Sequence, residues 1–257
     1  MPDDCYSYPQ YWDLAFRSET KVEADFIEAA CSQYGLQPTK HLFEPGCGGG
    51  RLVMEMARRG YQMTACDLNP AMVKYVKQRL KRSNLTGDVT TGDMTSFQLP
   101  QPVDAAFCTF NTFRHLISEK AALSHLQSIA NCLRPGGLFI LGFHIIPLDA
   151  EEEAVERWTA KHGVTRVTTT LRVVAFDRRK RRETLRFSLV VTNPKRRLRI
   201  VSEYPYRLYT ATQFRRLLAK VPKLELCEVF DFWYEIDHPV PFDDELSDAV
   251  FVLRRVG

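Results

Sequence analysis

The run Glu44-Pro45-Gly46-Cys47-Gly48-Gly49-Gly50-Arg51 holds the densest chemical information in this 257-residue chain. Glycines adopt backbone angles closed to other residues and let a ligand approach the main chain closely. A short apolar run, His41-Leu42-Phe43, precedes them, and a helix-forming run, Leu52 to Arg59, follows. A helix start offers free N–H groups and the positive end of a dipole. The nicotinamide fingerprint G-x-G-x-x-G is not matched. The third glycine arrives one residue early, as Gly46-x-Gly48-x-Gly50, and Arg51 takes the later place. Glu44, at the end of the strand, would repel a pyrophosphate and attract an ammonium group. The plain alternative is a tight turn that binds nothing.

Two more acids fall in step with that loop. Asp67, in Ala65-Cys66-Asp67-Leu68-Asn69, lies about 20 positions on, where a carboxylate accepts hydrogen bonds from ribose hydroxyls. It can equally cap the helix opening at Pro70, although Asn69 is itself a natural cap. Gly92-Asp93-Met94 follows a third strand. Its carboxylate can accept from an exocyclic amino group, and the backbone beside Met94 can donate to a ring nitrogen. Met72 and Met94 can flank a flat ring, or simply pack.

In an open α/β sheet, ligands bind at the carboxyl ends of the strands. That places His115 and His144 as candidate bases, since histidine titrates near neutral pH. Either can instead be a packed structural histidine. Arg114 and Arg207 can bind an acidic group or form salt bridges. Tyr204, Tyr206, Tyr209 and Trp233-Tyr234 can wall a pocket or fill a core.

These residues need elements to hold them. The first stretch, Tyr6 to Phe16, is aromatic-rich and reads as irregular. A helix follows over Glu19–Tyr34, ended by Gly35. From Thr39 strands alternate with helices: strands at His41–Phe43, Gln62–Cys66, Val89–Thr91, Ala105–Thr109 and Leu138–Phe143, with helices from Leu52, Pro70 and Ser118. Pro70 suits a first helical turn. Arg134-Pro135-Gly136-Gly137 reads as a turn. This rhythm predicts βαβ units and a parallel sheet with helices on both faces.

After Phe143 the pattern changes. Ala150–Lys161 reads as an acidic helix. Three strand-like runs follow, Thr165–Phe176, Thr184–Thr192 and Arg197–Leu208, with basic clusters Arg178–Arg182 and Lys195–Arg197 at the hairpin turns. They predict a small antiparallel sheet with one wet face. A helix at Thr212–Lys220 and strands at Leu224–Trp233 and Ala249–Arg254 resume the first pattern.

Hydrophobic residues make up 45% and charged residues 26%, and no apolar run approaches the ~20 residues of a membrane span. The opening Met1-Pro2-Asp3-Asp4-Cys5 is acidic, unlike a signal peptide. Seven cysteines without a C-x-x-C pair predict reduced thiols, a cytoplasmic setting and no zinc site. The net charge of +4 is too mild to argue for nucleic acid.

Taken together, residues 39–143 resemble the class I S-adenosylmethionine-dependent methyltransferases. The E-P-G-C-G-G-G-R loop, Asp67, Gly92-Asp93 and the L-R-P-G-G turn at Leu133–Gly137 carry the resemblance. It implies a doubly wound, seven-stranded, mostly parallel sheet with one antiparallel strand. It implies S-adenosylmethionine as methyl donor, held by Tyr11, Glu44, Gly46, Cys47, Gly48, Arg51, Asp67, Leu68, Met72, Asp93, Met94, Phe110 and Asn111. Tyr11-Trp12-Asp13 matches a stretch that folds over the donor in that family. Phe110 to Leu116 matches the loop facing both donor and acceptor. Trp12, Arg114, Tyr206, Tyr209 and Trp233 are then the acceptor side, with His115 and His144 as bases. The inserted sheet resembles the lid of glycine and amino-sugar N-methyltransferases, which implies a small-molecule acceptor and the option of a homodimer. The expected organisation is a core over 1–150, a lid over 151–208 and the last core strands over 209–257. An RNA or protein methyltransferase, a non-catalytic donor-binding protein and a nicotinamide oxidoreductase are the rival readings.

Overall fold

The run after Thr39 extends as strand β1 (His41–Pro45), with Leu42 and Phe43 fully buried. Burial on both faces is what a parallel sheet demands of its inner strands. In this computed structural model, which describes residues 4–147, 149–150 and 154–257, β1 pairs in parallel with β2 (Gln62–Asp67) and β4 (Val103–Cys108). β3 (Asp88–Thr91) extends one edge, and β5 (Leu133–His144), β11 (Asp248–Arg255) and β10 (Leu224–Phe230) extend the other. The order is β10-β11-β5-β4-β1-β2-β3, and β11 runs antiparallel to both its neighbours. This is the expected seven-stranded, doubly wound sheet.

Helices cover both faces. α2 (Thr20–Tyr34), α3 (Arg51–Arg58) and α4 (Pro70–Arg82) bury Phe26, Met54 and Val76 on one face. α5 (Glu119–Cys132) and α6 (Ala211–Leu218) bury Leu126 and Phe214 on the other. Local signals set the ends. Asn69 accepts from Ala71 N–H, Ser118 from Ala121 N–H, and Thr210 forms a capping box with Gln213. None of the helices is long and apolar enough to cross a membrane, among the described residues.

Three local expectations need correcting. Tyr6–Phe16 is ordered: a 3₁₀ turn at Cys5–Ser7 leads into α1 (Pro9–Phe16), with Pro9 in its first turn. Its Leu14 and Ala15 bury against the second sheet. The expected turn at 134–137 lies inside β5, whose pairing with β4 shifts register there. Gly136 absorbs the shift at φ +77°, with Leu36 packed where a side chain would sit.

The acidic helix expected over Ala150–Lys161 is not there. Residues 151–153 lie outside the described residues, and Val155–His162 is strand β6. Gly163, at φ +54°, turns the chain so that His162 pairs with Thr165, and the whole of β6 zips onto β7 (Thr165–Asp177). Trp158 anchors it, donating its indole N–H to Ala15 O at 2.7 Å. With β8 (Arg182–Asn193) and β9 (Arg196–Arg207) the second sheet has four antiparallel strands, not three. β8 alternates: Glu183, Leu185, Phe187, Leu189 and Val191 are buried, and Arg186 is exposed, giving the expected wet face. The basic clusters do stand at the β7–β8 and β8–β9 turns.

Candidate functional site

The glycine loop leaves β1 through three left-handed residues, Gly46, Gly48 and Gly50. A side chain at Gly50 would meet Val76 of α4 at 2.6 Å, so this glycine buys close helix packing. Gly48 is different. Among the described residues nothing lies within 4 Å of its vacant side-chain position, and its N–H donates to Asp67 Oδ2 at 2.7 Å. Asp67 Oδ1 accepts from Asn69 N–H at 2.8 Å. The β2 acid is therefore stitched to the loop that follows β1.

Glu44 lies at the end of β1, 8% exposed, and its Oε2 has no partner among the described residues. Burial pushes its carboxyl up to about 8, against the pull of Arg51. Arg51 pairs instead with Glu23 of α2, which holds the guanidinium through both oxygens at 2.5 and 2.8 Å. Glu23 also accepts from the Thr109 hydroxyl at 2.7 Å. Asp13 of α1 binds Arg79 at 2.7 Å and Arg17 at 2.5 Å, and Arg79 reaches Gly49 O. Sequence reasoning missed Glu23 and Arg79, and picked out Asp13 only as part of the 11–13 stretch. Glu23 had left a trace: it lies on the stripe of Phe26, Ile27 and Ala30, where a carboxylate must find a partner.

A single cavity of about 1340 Å³ opens beside the loop. The structure brings most of the singled-out residues to it. Glu44, Gly46, Cys47, Gly48 and Arg51 line it from the loop; Asp67, Leu68 and Met72 from the end of β2 and the start of α4. Asp93 and Met94 follow β3, and Phe110, Asn111, Arg114 and His115 follow β4. Trp12, Tyr206 and His144 complete the list. Phe110 and Asn111 are both left-handed, at φ +63° and +68°. Consecutive strained residues store of order 1–3 kcal/mol each and mark worked sites. The gain is visible: Asn111 Oδ1 accepts from His144 N–H at 2.9 Å, and Asn111 N–H donates to Gly142 O.

Three residues lie elsewhere. Tyr11 is turned from the cavity, its hydroxyl accepting from Arg196 at 3.0 Å. Tyr209 is core, 1% exposed and packed against Phe113, Phe143 and Phe214. Trp233 is 77% exposed and does not line the cavity. Arg114 lines it but is engaged, in a buried ion pair with Glu183 and a bond to Arg207 O at 3.0 Å. Arg207 is also engaged, donating to Ile117 O at 3.1 Å.

The two histidines differ. His115 Nε2 hydrogen-bonds the Tyr6 hydroxyl at 3.0 Å, and its ring packs 4.4 Å from Tyr206. Burial, then the charge on Arg114, lowers it to about 4, so it is neutral at physiological pH. His144 ends β5, with Nδ1 2.5 Å from Asp248 Oδ1 at the start of β11. All seven cysteines are free, and no cluster of metal-ligating side chains exists among the described residues.

The same loop and strand ends decide what this stretch is. Residues 43–137 match the family model of a methyltransferase domain. Residues 43–137 form a methyltransferase domain, set in a class I methyltransferase fold. The ubiquinone biosynthesis O-methyltransferase of Xanthomonas campestris is 32% identical over 122 residues, covering 47% of this chain and 48% of that one. The demethylmenaquinone methyltransferase of Tropheryma whipplei is 29% identical over 120 residues, covering 46% and 48%. The chain thus spans about half the length of these curated relatives. Solved structures extend the likeness in fold to the whole chain. A S-adenosylmethionine-dependent methyltransferase from Clostridium acetobutylicum aligns at TM-score 0.80 with 16% identity, covering 99% of this chain and 100% of that one. A sugar N-methyltransferase from Streptoalloteichus aligns at 0.74 with 16% identity, covering 96% and 93%. The methyltransferase domain and the second sheet are therefore shared with these structures as one architecture.

Proposed function

We propose that the chain binds S-adenosylmethionine and passes its methyl group to a nitrogen or oxygen of a small-molecule acceptor. Glu44 carries the reading. A buried carboxylate with an unpartnered oxygen, beside an open glycine loop, suits the ammonium of the donor's amino-acid end. Asp67 is the acceptor for the ribose hydroxyls, and Asp93 for the adenine amino group, with Met72 and Met94 on the faces of the ring. Leu68, Phe110 and Asn111 complete the donor side. The ionised form of Glu44 attracts an ammonium and repels a pyrophosphate, which favours this reading over a nicotinamide one.

The bound donor supplies a methyl group already activated on a positive sulfur. The chain's task is alignment and exclusion of water, and alignment is worth roughly 7–11 kcal/mol of barrier. Trp12, Arg114 and Tyr206 shape the acceptor side. His144, oriented by Asp248, is the base for an acceptor that arrives protonated; His115 is a positioning residue. The reading treats 1–150 and 209–257 as the core and 151–208 as a lid, in a cytoplasmic enzyme with reduced thiols. Gel filtration tests the dimer that such lids imply. The test of function is calorimetry with adenosylhomocysteine on wild type and Asp67→Ala, then transfer from labelled donor to amines and alcohols. Binding without turnover on any acceptor would favour a non-catalytic role.

A further inference from the structure

At about 1340 Å³ the cavity exceeds the roughly 300–1,000 Å³ of an ordinary small-molecule pocket. α1 and the second sheet line it with Phe16, Trp158, Leu171, Val173 and Leu185. The charge around it is lopsided. Among the described lining residues eight are carboxylates and two are guanidiniums, in a chain whose net charge is +4. Both guanidiniums are engaged, Arg51 by Glu23 and Arg114 by Glu183. The donor side accounts for Glu44, Asp67 and Asp93. Of the other five, Asp13 and Glu183 are held by arginines and Asp4 accepts from the Tyr204 hydroxyl, which leaves Glu156, exposed, and Asp248, bonded to His144.

We infer that the acceptor is an amine on an apolar body, bearing neither phosphate nor carboxylate. The inference rests on the methyl-transfer reading above. A buried anion without a free cation to meet it is strongly disfavoured. A cleft of one charge sign between low-dielectric walls concentrates the opposite ion. An ammonium is drawn toward Asp248 and Glu156, while the apolar walls hold its body. Glycine and phosphorylated sugars are excluded, because their anionic groups find no unpaired arginine or lysine on the described walls.

The chemistry closes on the same residues. With Nδ1–H donated to Asp248, His144 keeps a lone pair on Nε2. The acceptor ammonium gives one proton to Nε2. The freed nitrogen lone pair forms the new N–C bond, and the C–S bond electrons stay on sulfur, which becomes neutral. The product leaves as a methylated ammonium and His144 returns its proton to water.

The test uses one apolar body with four heads: 2-phenylethylamine, 2-phenylethanol, 3-phenylpropionate and 2-phenylethyl phosphate. Each is titrated calorimetrically into the full chain saturated with adenosylhomocysteine. The amine should bind at least tenfold tighter than the alcohol, and both anions at least tenfold weaker than the alcohol. Asp248→Asn and Glu156→Gln should each weaken the amine threefold or more and leave the alcohol within twofold. An anion that matches the amine overturns the inference. So does an amine that fails to bind at millimolar concentration, or a preference that survives both substitutions together. Adenosylhomocysteine is titrated alone first. Failure there refutes the methyl-transfer reading; success there with the wrong head-group order refutes the acceptor class only.

Discussion

Replacing Glu44 by glutamine keeps the shape of the proposed donor site and removes its charge. The wild-type carboxyl is raised from an ordinary 4.5 to about 8 by burial. At pH 7 it is therefore about nine-tenths protonated, while an incoming ammonium selects the ionised form. Donor binding at pH 7 must release close to one proton. Each pH unit below 8 costs the complex about 1.4 kcal/mol, so adenosylhomocysteine should bind up to tenfold tighter at pH 7 than at pH 6. Glu44→Gln should erase that slope and weaken binding at pH 8 by about 1.5–3 kcal/mol, the worth of a charged hydrogen bond. The fold responds with the opposite sign. A folded pKa raised above the unfolded value favours folding fully below about 4.5, and the benefit is lost as pH rises through 8. By pH 9 the ionised buried group costs up to about 5 kcal/mol, so Glu44→Gln should melt higher than wild type at pH 9 and close to it at pH 4.5. The assay is calorimetry at pH 6, 7 and 8 in two buffers of different ionisation enthalpy, with melting curves beside it. Binding without proton release, or a pH slope that persists in Glu44→Gln, would refute the reasoning.

Other substitutions probe other joints. Asp67→Ala strips the acceptor from the Gly48 and Asn69 N–H groups and should cost about 1–3 kcal/mol of stability with at least a tenfold loss of adenosylhomocysteine affinity by calorimetry. Glu183→Gln leaves the Arg114 charge buried and should cost roughly 3–5 kcal/mol in denaturant unfolding; Arg114→Met with Glu183→Leu should cost much less than either change alone. His144→Ala should lower methyl transfer to a protonated amine by about 10²–10⁴-fold. His115→Ala should change KM more than kcat, since its imidazole, lowered to about 4, is already neutral and bound to Tyr6.

What could be read from the chain depended on how local the signal was. The glycine loop, Asp67 and Gly92-Asp93 are short motifs at strand ends, and the parallel sheet places strand ends together, so position along the chain implied position in space. The core strands were legible because burial on both faces leaves unbroken apolar runs. β6 was not, because its Glu-rich approach suits a helix, and only pairing with β7 across Gly163 makes it a strand. α1 was hidden by aromatics that pack against a sheet some 150 residues later in the chain. The pairs Arg51–Glu23 and Arg114–Glu183 span 28 and 69 residues, and no spacing rule reaches that far. That is why both arginines read as ligand-binding when each already has a carboxylate. Tyr11, Tyr209 and Trp233 show the same limit, since an aromatic side chain suits a pocket wall, a core or an exposed turn equally well.

The central claim is that the loop at 44–51 with Asp67 binds the methyl donor. The most direct measurement is titration of adenosylhomocysteine and NAD into the same protein. One adenosylhomocysteine per chain, weakened at least tenfold by Asp67→Ala, with NAD silent, is the predicted result. No adenosylhomocysteine binding, or NAD bound in its place, would contradict it.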